Sequence, residues 1–220
     1  MSDQEKKDDP RKASRDVVRV LERSCDIHSF NTEVEWLEAR RKVITASEVP
    51  AVLGASRWQT PMQLAYDKLN GAKRETTLAM ESGKALEPVV ATAYIEATNR
   101  ALMDLGRFTL LTSKRYPWLG ASLDRLIVEE SPGALEIKTT THAENVEEGN
   151  SERLNYEVQN QVQMLVAGLA WGELAVLIRT SQLVFIPTEA NAKFHDAMLA
   201  KTHEFYKKVV LYRQMPAPTD

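Results

Sequence analysis

The amino-acid sequence predicts a mixed α/β (α+β) single domain, and three observations carry that prediction. Helical spacings come first, then a group of strands, one helix, two strands and a last helix, an order that sets sheet against helices. Two apolar, β-branched runs, residues 126–128 and 135–138 with Thr139, Thr140 and Thr141 beyond, flank Ser131-Pro132-Gly133 as a hairpin would. The chain has 220 residues, 43% hydrophobic and 27% charged, enough for one domain with its own core.

Composition excludes several classes. The single cysteine, Cys25, allows neither an internal disulfide nor a four-cysteine iron–sulfur cluster. The four histidines, His28, His142, His195 and His203, show no ligand spacing, which argues against a histidine zinc site. With a net charge of −3 there is no global basic field, so DNA would have to be met by a local patch, a metal or an assembly. No apolar run is long enough to span a bilayer and the N-terminal stretch lacks the pattern of a signal peptide, so the cytoplasm is the expected location.

Residues 1–14 are charged without apolar periodicity and are expected to be disordered; residues 15–215 form the domain and 216–220 a loose tail. Residues 16–25 read equally as helix or strand. Thr32 with Glu35 forms a capping-box pattern opening a helix that holds Trp36 and ends in Arg40-Arg41-Lys42, where cations suit the helix dipole. Ser47 reads as the N-cap of the next helix, with Pro50 in its first turn and Gly54 at its end. Thr60-Pro61 starts another helix, ending near Gly71. Glu87, just before Pro88, reads as first-turn in a helix carrying Val89, Val90, Ala93, Tyr94 and Ala97. A strand follows within residues 107–116, then the hairpin. The acidic stretch 143–150 reads as a loop and residues 151–169 as an amphipathic helix interrupted by Gln159, Gln161 and Gln163. Of these, Gln161 lies off the apolar stripe and is the one expected to reach a site. Strands over 174–179 and 183–187 and a helix over 190–213 complete the order.

The chemistry concentrates around the hairpin. Glu136 and Lys138 are two apart on one strand, so both side chains share a face that Ile137 does not. With Asp124 on the neighbouring strand they suit metal-assisted phosphodiester cleavage: carboxylates hold a divalent cation and the ammonium sits beside the attacking water. Taken alone, the Glu-x-Lys pair reads more readily as a solvated charge pair of an edge strand. Parity is a further condition. If Glu129 pairs with Ala134, then Ile127 faces Glu136 and Asp124 falls on the opposite face, so a bulge or irregular turn has to restore it. The basic triplet ahead of Ser47 reads as an anion site, or as an ordinary capped helix start.

Five separated motifs then agree. Arg40 with Val43-Ile44-Thr45-Ala46-Ser47-Glu48, Gly83-Lys84 with Glu87, Ser122 with Asp124, Glu136-Ile137-Lys138, and Gln161-Val162-Gln163 stand in the order of the lambda-type (YqaJ-like) viral alkaline exonucleases, which the chain resembles over about residues 36–170. That family belongs to the restriction-endonuclease-like, PD-(D/E)xK superfamily of metal-dependent nucleases. The resemblance implies a central mixed sheet flanked by helices. It implies Asp124, Glu136 and the Ile137 backbone carbonyl as Mg²⁺ ligands (Mn²⁺ as a substitute), Lys138 acting on water, and Glu87 at a second metal or orienting that water. Arg40, Ser47, Ser122 and Gln161 would hold the 5′-phosphate of the strand being digested. In one place the chain departs from the pattern: Leu123 and Arg125 flank Asp124 where proline and glycine are common.

The activity so implied is 5′-to-3′ digestion of one strand of linear duplex DNA to mononucleotides by two-metal hydrolysis, leaving 3′ overhangs. The resemblance further implies a ring-shaped homotrimer, a single-strand annealing recombinase as partner, and a phage or prophage setting in a bacterial host. Two other readings stay open on the residues. One is a cluster-free RecB-like or structure-specific endonuclease; the other is a catalytically silent DNA-end-binding subunit.

Overall fold

A computed structural model describes residues 10–71 and 76–215. The expected disorder of residues 1–9 and the expected loose tail 216–220 lie outside the described residues. Residues 10–14, however, do not continue that expectation. Helix α1 spans Pro10–Ser24 and settles the undecided stretch, because Val17 and Leu21, one turn apart, are both buried. Tertiary burial of that stripe supports a helix whose charged composition alone would not. The chain then extends into β1 (Cys25–Ser29).

Helix α2 (Glu33–Arg41) opens with the expected capping box. The Glu35 N–H donates to Thr32 Oγ1 at 3.3 Å, and the Glu35 carboxylate accepts from the Thr32 N–H at 3.2 Å. Next come the short β2 (Ile44–Thr45), a 3₁₀ turn (Ala46–Glu48) and α3 (Val49–Val52). Here the cap differs from the expected Ser47. The Glu48 carboxylate accepts from the Thr45 N–H at 2.8 Å, so Thr45 takes the cap position and the Ser47 hydroxyl is released for another partner. Helix α4 (Pro61–Asn70) is capped by Thr60 as expected. Helix α5 runs over Leu78–Thr98, starting under Thr77, whose hydroxyl accepts from the Met80 N–H at 3.3 Å. Glu87 therefore sits in mid-helix and not in a first turn, with Pro88 accommodated inside the same helix.

Strands β3 (Ala101–Met103), β4 (Thr109–Ser113), β5 (Leu119–Ala121), β6 (Arg125–Val128) and β7 (Gly133–Thr140) lead into α6 (Ser151–Ala167). β8 (Trp171–Ile178), β9 (Gln182–Glu189) and α7 (Ala192–Phe205), prolonged by a π-helical stretch (Tyr206–Leu211), complete the described chain. They form a four-stranded sheet in the order β1-β4-β5-β2 and a five-stranded sheet in the order β3-β6-β7-β8-β9. β7 pairs antiparallel with β6 but parallel with β8, and α6 supplies the crossover that parallel pairing requires. The apolar face of α6, with Val158, Val162, Met164 and Val166 buried, is part of the main core. The helix ends at Gly168 in the left-handed region (φ +71°), where an added Cβ would also meet Ser24 Oγ at 2.0 Å.

Because β7 is an interior strand, the edge-strand reading of Glu136 and Lys138 is excluded; Glu136 is wholly buried. The pairing also answers the parity condition. Ile127 lies opposite Gly133 and Arg125 opposite Leu135, a three-residue slip from the tight-turn register, taken up by a longer connection through residues 129–132. An odd slip flips faces. Carrying the register one step further sets Asp124 opposite Glu136 with both side chains on one face, and no bulge is needed.

Candidate active site

β7 brings Glu136 and Lys138 to the same face, and the segment entering β6 brings Asp124 to meet them. The Ile137 N–H donates to Asp124 Oδ2 at 2.8 Å, locking the two strands together at the site. Lys138 Nζ is in close contact with Glu136 Oε1, donates to Gln159 Oε1 at 3.3 Å, and lies 5.6 Å from the centre of the Tyr156 ring. Burial and the neighbouring Glu136 charge push the Asp124 carboxyl well above the usual carboxylate range. Burial would lower the Lys138 ammonium, but Glu136 and Asp124 outweigh it and hold the group above its ordinary value.

A buried carboxylate needs partners, and α6 provides them. Gln159 Nε2 donates to Glu136 Oε1 at 2.6 Å and Gln163 Nε2 to Glu136 Oε2 at 2.5 Å. Gln163 also donates to the Ser122 carbonyl at 3.1 Å and accepts from Asn160 Nδ2 at 3.2 Å, so its amide is fully used. The sequence reading gave neither glutamine a role: Gln163 stood in the Gln161-Val162-Gln163 motif without one, and Gln159 was passed over. Their signal was the i, i+4 spacing, which stacks side chains on one helix face. Gln161, two residues from each, must point elsewhere, and the expectation that it reaches the site is overturned. Its amide donates to the Glu189 carbonyl at 2.7 Å and accepts from the Asn191 N–H at 2.9 Å, tying α6 to the start of α7.

Away from the carboxylates, Arg40 reaches over the hydroxyls that the Thr45 cap leaves available. Its Nη2 donates to Ser47 Oγ at 3.1 Å and to Thr45 Oγ1 at 3.3 Å, and the guanidinium lies 4.4 Å from the centre of the Trp36 ring. Trp36 Nε1 in turn donates to Ser122 Oγ at 3.4 Å, linking Arg40 to Ser122, whose hydroxyl donates to the Thr109 carbonyl at 2.6 Å. Beneath them Lys68 Nζ is buried, bonded to the Arg40 carbonyl at 2.8 Å, the Val43 carbonyl at 2.6 Å and Glu48 at 2.7 Å. Burial would raise the Glu48 carboxyl, but Lys68 and Arg40 hold it below its ordinary value.

One cleft of about 600 Å³ joins these parts. Arg40, Ser47, Ser122, Glu87 and Asp124 all line it, with Glu136 and Lys138 immediately behind Asp124; Gln161 is absent from its walls. Lys84, from the Gly83-Lys84 motif, lines it too, as do Arg107 and Phe108, a cation and an aromatic that the sequence reading did not single out. Glu87 does not stand free. Arg125 Nη1 donates to Glu87 Oε1 at 2.6 Å.

Among the described residues no three of His, Cys, Asp and Glu converge closely enough to cage a metal by themselves. The donors present nonetheless fit a hard divalent cation that keeps several waters and takes only one or two carboxylates. Two carboxylates share a face, burial and then the Glu136 charge raise the Asp124 carboxyl, and only one Asp124 oxygen is hydrogen-bonded among the described residues.

A mixed sheet flanked by helices, with Asp124, Glu136 and Lys138 gathered at the centre of one strand pair, is the restriction-endonuclease-like arrangement. The chain belongs to the YqaJ-like viral recombinase domain family, whose description matches residues 35–170. Protein YqaJ of Bacillus subtilis (strain 168) is 31% identical over 207 residues, 90% of this chain; the chain spans 64% of the length of that relative. Among solved structures, the alkaline exonuclease LHK-Exo from Laribacter hongkongensis superposes with a TM-score of 0.65 at 22% identity, over 82% of this chain and 95% of that one. Its complex with dAMP gives the same TM-score and coverage at 25% identity. A phage related exonuclease from Haemophilus somnus 129PT shares the fold at a TM-score of 0.58 and 9% identity, over 78% of this chain and 96% of that one. Family and fold together support a nuclease role. Among the described residues no helix is long and apolar enough to cross a membrane.

Proposed function

We propose that the chain is a Mg²⁺-dependent 5′-to-3′ exodeoxyribonuclease that digests one strand of linear duplex DNA to mononucleotides and leaves 3′ overhangs. The observation that carries this reading is one cleft that Asp124 lines on one side, with Glu136 and Lys138 gathered on the neighbouring strand, and that Arg40, Ser47 and Ser122 line on the other. Asp124, Glu136 and the Ile137 carbonyl would hold the cation, with Mn²⁺ as a substitute. When bound, it supplies charge neutralisation at the scissile phosphate and acidity to water. Gln159 and Gln163 keep Glu136 oriented and satisfied; Lys138 orients the attacking water and counters the charge that builds on the phosphate. A guanidinium can grip a terminal phosphate through two parallel hydrogen bonds, with the Ser47 hydroxyl as a further donor; the Ser122 hydroxyl would join only by leaving the Thr109 carbonyl. A fixed grip on one end sets the direction of digestion.

We further propose a single-strand annealing recombinase as partner and a ring-shaped homotrimer, the latter to be tested by light scattering of the full chain. Linear duplex labelled separately at each 5′ and 3′ end, with and without 5′-phosphate, tests the activity under a Mg²⁺ titration. Mononucleotides released from 5′-phosphorylated ends support the reading. Nicking of closed circles would replace it with an endonuclease. Binding of ends without release at any Mg²⁺ concentration would replace it with a silent end-binding subunit.

A further inference from the structure

Arg125 occupies an unusual place in this cleft. It stands next to Asp124 in the chain, and its side chain is only 13% exposed. One nitrogen, Nη1, serves Glu87 at 2.6 Å, Asp104 at 3.5 Å and the backbone carbonyl of Asp124. Three elements are pinned by that one group: α5 through Glu87, the segment after β3 through Asp104, and the entry to β6 through Asp124. Glu87 is 29% exposed on its side chain and Asp104 is exposed, so the guanidinium is the least hydrated member of the cluster. Both Glu87 and Asp104 line the cleft beside Asp124.

This arrangement has a chemical consequence. Lys138 is paired with Glu136, and Arg125 with Glu87 and Asp104, so among the described residues Asp124 is the acid of this group with no ion-pair partner. That leaves room beside Asp124 for one divalent ion. A second divalent ion would need Glu87, and Glu87 already holds a guanidinium in a charge-assisted hydrogen bond. We propose that Arg125 is a positioning residue that takes up Glu87 and so limits the DNA-free cleft to one tightly bound divalent ion. This rests on the reading of Asp124 and Glu136 as a cation site. It differs from that reading in assigning Glu87 to Arg125 and not to a second ion.

The test counts ions on the full chain without DNA, using Mn²⁺ alone with calorimetry and electron paramagnetic resonance. Wild type should bind one ion tightly. Arg125→Gln keeps most of the side-chain volume and removes the charge, so a second ion should bind at least about tenfold tighter than in wild type, the scale of one charge-assisted hydrogen bond. Adding Glu87→Gln to Arg125→Gln should abolish that second ion while leaving the first. If Arg125→Gln does not fold, Arg125→Lys, which keeps a cation but not the planar fork, should show a second-ion affinity between the two. Two equally tight ions in wild type, or a second ion unaffected by Arg125, would overturn the proposal. No Mn²⁺ bound by wild type, or binding that survives Asp124→Ala, would instead remove the cation site itself and this proposal with it.

Discussion

The two ends of the cleft are built from different material. Glu136 and Lys138 stand on β7 in the middle of a five-stranded sheet, with Asp124 at the entry to the neighbouring β6 and Glu136 held by two amides from α6. Arg40, Ser47 and Ser122 stand on a helix end, a 3₁₀ turn and a short loop, tied together by hydroxyls and the Trp36 ring. The carboxylate end is positioned by the core, whereas the guanidinium end is positioned by single hydrogen bonds over one buried lysine. Under the proposed function the difference has a reason: chemistry demands tighter placement than capture of a flexible DNA terminus.

That contrast can be broken from either side. The largest effect is expected at the carboxylate end. Lys138→Ala should reduce nucleotide release by about 10²- to 10⁴-fold, the range of a positioned group acting on a proton or on water, while DNA-end binding measured by anisotropy stays largely intact. A variant keeping more than about a tenth of the wild-type rate would take Lys138 out of the chemistry.

Next in size is the strut beneath the other end. Lys68→Met leaves the Glu48 carboxylate and two carbonyls without their ammonium, and removing one partner of such a buried pair costs about 3 to 5 kcal/mol. Chemical denaturation at neutral pH measures it. The sign with pH follows from Glu48, whose folded value lies below its ordinary 4.5. Its ionised form stabilises the fold above that ordinary value, and the contribution fades as pH falls through the depressed folded value. The gap between wild type and Lys68→Met should therefore be full at pH 7 and narrow in acid. A gap that widened below pH 4 would contradict the ion pair.

The smallest effect sharpens the comparison most. Arg40→Ala should slow digestion of 5′-phosphorylated ends by roughly tenfold to a hundredfold, the scale of a hydrogen bond to a charged group, and leave 5′-hydroxyl ends nearly unchanged. Arg40→Lys should recover part of the preference. Equal loss on both substrates would make Arg40 a general backbone contact.

Much of this was legible in the chain. Caps at Thr32 and Thr60 announced themselves by residue type and spacing, because capping is a local hydrogen-bond exchange. The Glu136–Lys138 face followed from strand alternation alone. What sequence did not reveal was long-range. The hairpin register depends on where residues 129–132 leave the ladder, which neighbouring strands decide. Ser47 resembled a cap more than Thr45 did, until the Glu48 carboxylate chose the latter. Gln161 drew attention for lying off the apolar stripe, yet the buried acid lay on the face of Gln159 and Gln163. Only the docking of α6 against β7 shows which glutamines meet the buried Glu136.

The same docking has a consequence for how the chain acquires its chemistry. Asp124 and Ile137 meet across a hairpin closed over 13 residues, a contact cheap in chain entropy. The amides of Gln159 and Gln163 approach Glu136 from 23 and 27 residues away, on the crossover that must be laid down before β8 can pair with β7. Parallel pairing through a crossover is a late and slow event in a folding chain. The two acids can thus meet early, paired but unsupported, and Glu136 gains its amide partners only once the helix settles on the sheet.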